Sequence, residues 1–138
     1  QFLKGWETGE LKTLPLLPGV EVYRAPGITK FSFQMSPAEK AKVRQDHDAL
    51  LEKVVALCRE KQADLLVLDE ALGACSTGLL DEDRLLQFLK TNPAGVEVVL
   101  TGRNPSPALL EAADYVSEIC KRKHPYDKGV VARDGIER

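Results

Sequence analysis

Residues 65–80 read "LLVLDEALGACSTGLL". An uncharged apolar run, Leu65 to Leu68, meets two adjacent carboxylates, Asp69 and Glu70. Such a run, bounded by polar residues, predicts a parallel strand covered on both faces. A buried strand that ends in two acids is costly unless something beyond the sheet uses their charge. The pattern has the shape of a Walker B element, in which a carboxylate held at a strand tip binds Mg2+ directly or through water. The plainer reading makes Asp69 the cap of a following helix and Glu70 a solvated first-turn residue. Gly73 and Gly78 have the spacing of a phosphate-cradling G-x-x-x-x-G loop. Leu79 and Leu80 follow where a lysine and a hydroxyl are needed, so the stretch is not such a loop.

Helices and further strands surround this segment. "GVEVY", Gly19 to Tyr23, alternates weakly and predicts a short strand. "APGITKFSFQM" is a loop carrying Phe31 and Phe33. Ser36, Pro37 and Glu39 form a capping box with proline at the first helical position, and open a helix from Pro37 to about Gln62. Its apolar stripe is Val43, His47, Leu50, Leu51, Val54, Val55 and Cys58. Asp81 caps a helix through Lys90 with Leu85, Leu86 and Leu89 inward. "NPAG" breaks the chain. "VEVVLTGR", Val96 to Arg103, is a second buried strand. Ser106-Pro107 opens a short helix to about Ala113, and "DYVSEI" is a last strand. The polar tail has turns at Gly129 and Gly135. Alternating strands and helices predict one α/β domain over residues 1–138 with a mostly parallel sheet. Ligands of such sheets bind at the carboxyl ends of the strands, where Asp69-Glu70 and Thr101-Gly102-Arg103 fall.

Composition narrows the function classes. Hydrophobic residues are 43% and charged residues 29% of 138, the mix of a soluble globular chain. A formal net charge of −2 gives no electrostatic case for nucleic acid or an acidic membrane surface. No apolar run approaches the ~20 residues of a membrane span. Cys58, Cys75 and Cys120 are scattered and odd in number, which suggests neither a disulfide framework nor a zinc site and fits a reducing, cytoplasmic setting.

Other candidates carry plainer readings beside the functional ones. Arg103 after a strand is a phosphate partner or a surface residue. His124 lies among Lys121, Arg122, Lys123 and Lys128, either in a solvated basic tail or at a site. His47 reads as a helix-face residue at the core edge. Phe31 and Phe33 are core residues or an exposed wedge for a flat ligand, and Trp6 shares that ambiguity. Two aromatics at i, i+2 in an extended loop face opposite ways, so one is expected to anchor in the core while the other projects.

"QFLKGW", "LLVLDE", "VEVVLTGRNPSPALLEAADYVSEI" and "KHPYDKGVVARDGIER", in that order, resemble the ATP:corrinoid adenosyltransferases of the CobA/BtuR type. The resemblance spans nearly the whole chain and is most specific after Val96. It implies a Rossmann-like fold of the P-loop NTPase type, usually a homodimer. It implies transfer of the 5′-deoxyadenosyl group of ATP to the cobalt of a reduced corrinoid, with Mg2+ assisting, triphosphate released, and a flavoprotein as one source of electrons. Glu70 with Asp69 matches the acidic pair associated with Mg2+. Arg103 and His124 match positions near ATP, and Phe31 and Phe33 fall where the family places aromatics under the corrin ring. Family members carry a "GNGKGKTT"-like loop ahead of the "QF[IL]KG" segment. This chain starts with Gln1 at that segment, so it is expected to lack the loop and, alone, to bind ATP weakly and be inactive. The alternative is a non-catalytic corrinoid-binding or regulatory homologue. A third reading is an NTPase fragment that hydrolyses its nucleotide.

Overall fold

A computed structural model describes residues 1–26, 28, 30–92, 95–133 and 136. In chain order the helices and strands are α1 (Glu10–Thr13), α2 (Pro37–Arg59), β1 (Leu65–Leu68), α3 (Ala71–Ser76), α4 (Glu82–Thr91), β2 (Glu97–Leu100) and α5 (Pro107–Glu111). Short 3-10 turns cover Leu14–Leu16, Ser32–Gln34 and Pro125–Lys128. By contacts the chain falls into two units. The first comprises Gln1–Trp6 with Tyr23–Asp114, and the second Glu7–Val22 with Tyr115–Arg138.

In the first unit β1 and β2 pair in parallel, Leu65 opposite Glu97 and Leu68 opposite Leu100. The α/β character expected from the sequence is present. α2 starts where its capping box predicts: Ser36 Oγ accepts from the Glu39 N–H, and the Glu39 carboxylate accepts from the Ser36 N–H. It ends at Arg59, before the expected Gln62. Lys61 is left-handed at φ 57°, and the Gln62 N–H donates to the Leu57 carbonyl at 2.9 Å, the six-to-one bond of a Schellman stop. α4 begins at the expected Asp81 cap, and α5 begins at the Ser106 cap and stops at Glu111.

The core gathers His47's neighbours Leu50 and Leu51, then Val54, Val55 and Cys58 from α2, Leu68 from β1, and Leu85 and Phe88 from α4. Leu85 is wholly buried, so truncating it to alanine would cost about 2–5 kcal/mol. Phe88, absent from the expected inward set, is also buried, whereas Leu86 and Leu89 pack at the edge.

Three expectations need correction. Among the described residues the sheet is covered on one face only: Leu66, Leu68, Val98 and Leu100 face the core, while Leu65, Val67 and Val99 are 57%, 50% and 44% exposed. The periodicity of a four-residue apolar run does not show whether both faces are covered. Gly19–Tyr23 is irregular, because among the described residues no neighbouring strand offers it a ladder; the Val20 N–H turns back to the Leu17 carbonyl at 3.2 Å, and the Tyr23 carbonyl takes the Gln1 nitrogen at 2.7 Å. "DYVSEI" is likewise irregular, with Tyr115 and Ile119 almost fully exposed.

The "GACSTG" glycines have structural roles. Gly73 is packed within α3, and Gly78, at φ 71°, ends it, with the Leu79 N–H donating to the Ala74 carbonyl at 2.8 Å. The second unit contains α1 and the turn at Pro125–Lys128, closed by Gly129 at φ 77° as the sequence suggests. Gly135 lies outside the described residues. Among those described, no helix is long and apolar enough to cross a membrane.

Candidate functional site at the strand tips

The two strands deliver Asp69 and Thr101 to the same end of the sheet, since the ladder continues one step past β2. The Thr101 N–H donates to the Leu68 carbonyl at 3.2 Å. The Thr101 hydroxyl then serves both acids' residues. It donates to Asp69 Oδ1 at 2.8 Å and accepts the Glu70 N–H at 3.0 Å. Its carbonyl accepts the Leu72 N–H at 3.1 Å, so one threonine joins β2, the tip of β1 and the first turn of α3.

The opposite side of Asp69 is held by the amino-terminal segment. Lys4 Nζ lies 2.9 Å from Asp69 Oδ2, and the Phe2 N–H donates to the Asp69 carbonyl at 2.9 Å. Burial alone would push the Asp69 carboxyl up, but the hydrogen bonds from Lys4 and Thr101 outweigh it and hold the group below its ordinary range. Asp69 is therefore ionised at neutral pH.

Glu70 is in the left-handed region, φ 61° and ψ 15°, rare for a residue with a side chain. It occupies the N-cap position of α3 but its side chain makes no capping bond. Its Oε2 lies over the helix start, 3.3 Å from where a Cβ on Gly73 would sit. Among the described residues its carboxylate has no partner. The plainer reading, a capping Asp69 beside a first-turn Glu70, does not describe this arrangement.

Gly102 closes the tip. At φ 137° it passes so near α3 that an added Cβ would lie 2.8 Å from the Gly73 nitrogen and 2.9 Å from Leu72 Cβ. Arg103, directly after it, is exposed, and no carboxylate among the described residues pairs with it. The structure thus brings Asp69, Glu70 and Arg103 to the carboxyl ends of adjacent parallel strands.

The donor set fits a hydrated Mg2+. It supplies hard carboxylate oxygens, one group restrained and one free. Among the described residues no cluster of three or more His, Cys, Asp or Glu side chains forms a closed cage. Mg2+ keeps most of its waters and is completed by substrate phosphates, so two carboxylates suffice.

Phe31 and Phe33 differ from the expected anchor and projection. Both are exposed, 58% and 80%, and their rings stack at 5.6 Å and 6°. The reason is local: Ser32–Gln34 is a 3-10 turn, so i, i+2 side chains do not alternate as in an extended chain. Trp6 meets Phe31 edge-on at 6.2 Å, which extends the pair into a three-ring cluster. Gly5 lets this segment pass: an added Cβ would collide with the backbone of Ile28. Gly5 alone separates Trp6 from Lys4.

His124, in the second unit, caps the turn at Pro125–Lys128, its Nδ1 accepting the Tyr126 N–H at 3.1 Å. Lys121 pairs with Asp127 across the same turn at 2.8 Å. Asp134, Gly135, Glu137 and Arg138, part of the terminal motif, lie outside the described residues.

His47 is more than a residue at the core edge. It is completely buried, with Nδ1 2.8 Å from the Leu79 carbonyl and Nε2 accepting the Leu3 N–H at 3.4 Å. That pattern needs a neutral ring protonated at Nδ1. Burial pushes its pKa down, against the Leu79 carbonyl and Asp48, which pull it up.

An α/β chain whose parallel strands end in an ionised Asp69 beside Glu70, a shared threonine and an exposed arginine has the arrangement of sheets that bind ligands at their carboxyl edge. The chain belongs to the family described as ATP:corrinoid adenosyltransferase BtuR/CobO/CobP, which matches residues 1–138. It is similar to the corrinoid adenosyltransferase of Pseudomonas aeruginosa, 32% identical over 138 residues, covering 99% of this chain and 66% of that protein. It is equally similar to that of Escherichia coli K12, 32% over 139 residues, covering 99% and 68%. The corrinoid adenosyltransferase CobA of Salmonella typhimurium gives the same identity and coverage. The chain thus spans about two thirds of the length of these relatives.

Proposed function

We propose that the protein transfers the 5′-deoxyadenosyl group of ATP to the cobalt of a reduced corrinoid and releases triphosphate. The observation that carries this reading is the strand tip itself: ionised Asp69 and unpartnered Glu70, bridged by Thr101, in a chain matched end to end by the adenosyltransferase family. In the reaction the electron pair of cobalt(I) forms the cobalt–carbon bond at C5′. The C5′–oxygen bond breaks, and its electrons leave on triphosphate.

Mg2+, when bound, would offset the charge gathering on the leaving group. Glu70, with Asp69, would hold it. Arg103 would place a second positive charge against the phosphates. Phe31 and Phe33 offer a flat, apolar, exposed surface suited to one face of the corrin ring, where they would exclude water from the lower side of cobalt. His124 would lie near the adenosine. A fold of the P-loop NTPase type, a homodimer, a flavoprotein electron donor and a cytoplasmic setting complete the reading by family analogy.

The test is made on the full-length protein with MgATP and chemically reduced corrinoid. Visible absorbance follows cobalt–carbon bond formation, and triphosphate is separated from phosphate. Both adenosylcorrinoid and triphosphate are expected. Phosphate alone would make the protein an ordinary nucleotide hydrolase, and corrinoid binding without turnover would make it a binding homologue.

A further inference from the structure

We infer that Lys4 is a displaceable cation of the site: it holds Asp69 while the metal is absent and moves to the polyphosphate when metal and nucleotide arrive. The inference rests on the nucleotide reading above and adds a residue to it.

Four observations carry it. Lys4 Nζ lies 2.9 Å from Asp69 Oδ2, with both side chains only 28% exposed. A shielded ion pair beside the Glu70 carboxylate, which has no partner among the described residues, puts a positive charge where a metal would bind. The backbone on both sides is strained: Leu3, just before Lys4, is left-handed at φ 56°, and Glu70, just after Asp69, at φ 61°. Non-glycine residues persist there only when the surroundings enforce it, and such strain concentrates at sites that bind or switch. The enforcement is visible. Phe2 is buried to 1% exposure and the Leu3 N–H is held by His47 Nε2, so the segment is pinned immediately before the lysine. Beyond Lys4 the chain passes Gly5, so the pinned anchor ends where the long, flexible side chain begins.

The ammonium cannot occupy the same carboxylate oxygen as a divalent cation. On metal binding it is released within reach of the metal's other ligands, and lysine is a strong point-charge partner for phosphate. Lys4 should therefore oppose metal alone and favour metal with polyphosphate. An ordinary structural ion pair would oppose the metal in the same way but would not favour metal with polyphosphate.

The test uses full-length protein, wild type against Lys4→Met and Lys4→Arg. Mn2+ binding is followed by electron paramagnetic resonance, without and with tripolyphosphate, and circular dichroism monitors folding. Lys4→Met should bind Mn2+ alone at least about threefold tighter and Mn2+–tripolyphosphate at least about threefold weaker, with Lys4→Arg close to wild type in both. Equal affinities, or parallel weakening of both, would overturn the inference and leave Lys4 a fixed structural partner. If Lys4→Met fails to fold, Lys4→Gln is measured in its place, on the same criterion. Wild-type protein that binds no Mn2+–tripolyphosphate would sink the nucleotide reading, while tighter Mn2+ binding by the methionine variant would still establish displacement of the lysine.

Discussion

Thr101 Oγ1 donates to Asp69 Oδ1 at 2.8 Å while accepting the Glu70 N–H at 3.0 Å, so one hydroxyl fixes both the charge and the backbone of the acid pair. Thr101→Val keeps the shape and removes both bonds. It should cost about 1–3 kcal/mol of stability, and weaken Mn2+ binding, whereas Thr101→Ser should restore both. Urea melts and Mn2+ titrations check this, and an unchanged valine variant would refute it.

Gly102 is required twice over, by φ 137° and by the 2.8 Å approach of a would-be Cβ to the Gly73 nitrogen. Gly102→Ala should push β2's end away from α3, lowering the melting temperature and disturbing Thr101. Gly95, also at positive φ but with open space around it, provides the control: Gly95→Ala should suffer only the backbone strain.

His47 makes stability depend on pH. Its folded pKa is pushed below the ordinary ~6.5, so between those values the unfolded chain binds the proton and the folded chain does not. The contribution is intact above about pH 6.5 and is lost as pH falls below it. Urea midpoints should decline from about pH 7.5 to about pH 5, and His47→Gln should flatten that slope. Identical slopes would show that other groups account for it.

Phe31 and Phe33 are exposed, so alanine at either should cost little stability, far less than the ~3–5 kcal/mol of a buried phenylalanine. The same variants should weaken corrinoid binding, and slow adenosylation more when cobalt(II) is reduced on the protein than when cobalt(I) is supplied. Variants that melt well below wild type would return the pair to the core.

Much of this architecture could be read from local rules. The Ser36, Asp81 and Ser106 caps marked three helix starts because capping is short-range chemistry, written in a few adjacent residues. The strand tip was legible from the abrupt change at Leu68-Asp69. What escaped depends on partners distant in sequence. Thr101 and Lys4 are 32 and 65 residues from Asp69, and nothing in "TGR" or "FLKGW" states which carboxylate they will meet. The sheet's one-sided cover and the missing strands at Gly19–Tyr23 and Asp114–Ile119 fail for the same reason, since a strand exists only where another offers its ladder. The stacked phenylalanines were misread because their alternation presumed an extended backbone, and a single 3-10 turn removes it.

The bare face of the sheet has a practical consequence. Leu65, Val67 and Val99 form an apolar stripe on a two-stranded ribbon, and among the described residues neither outer edge of β1 or β2 carries a ladder partner. Open edges beside apolar side chains template the addition of further strands. With a net charge of only −2 and a sequence pI near 5.7, mutual repulsion between molecules is weak and vanishes on mild acidification. Prepared as these 138 residues, the protein will cloud at a concentration that falls as the buffer approaches pH 5.7, and Val67→Glu, which breaks the apolar stripe and adds negative charge, will raise that concentration at pH 7.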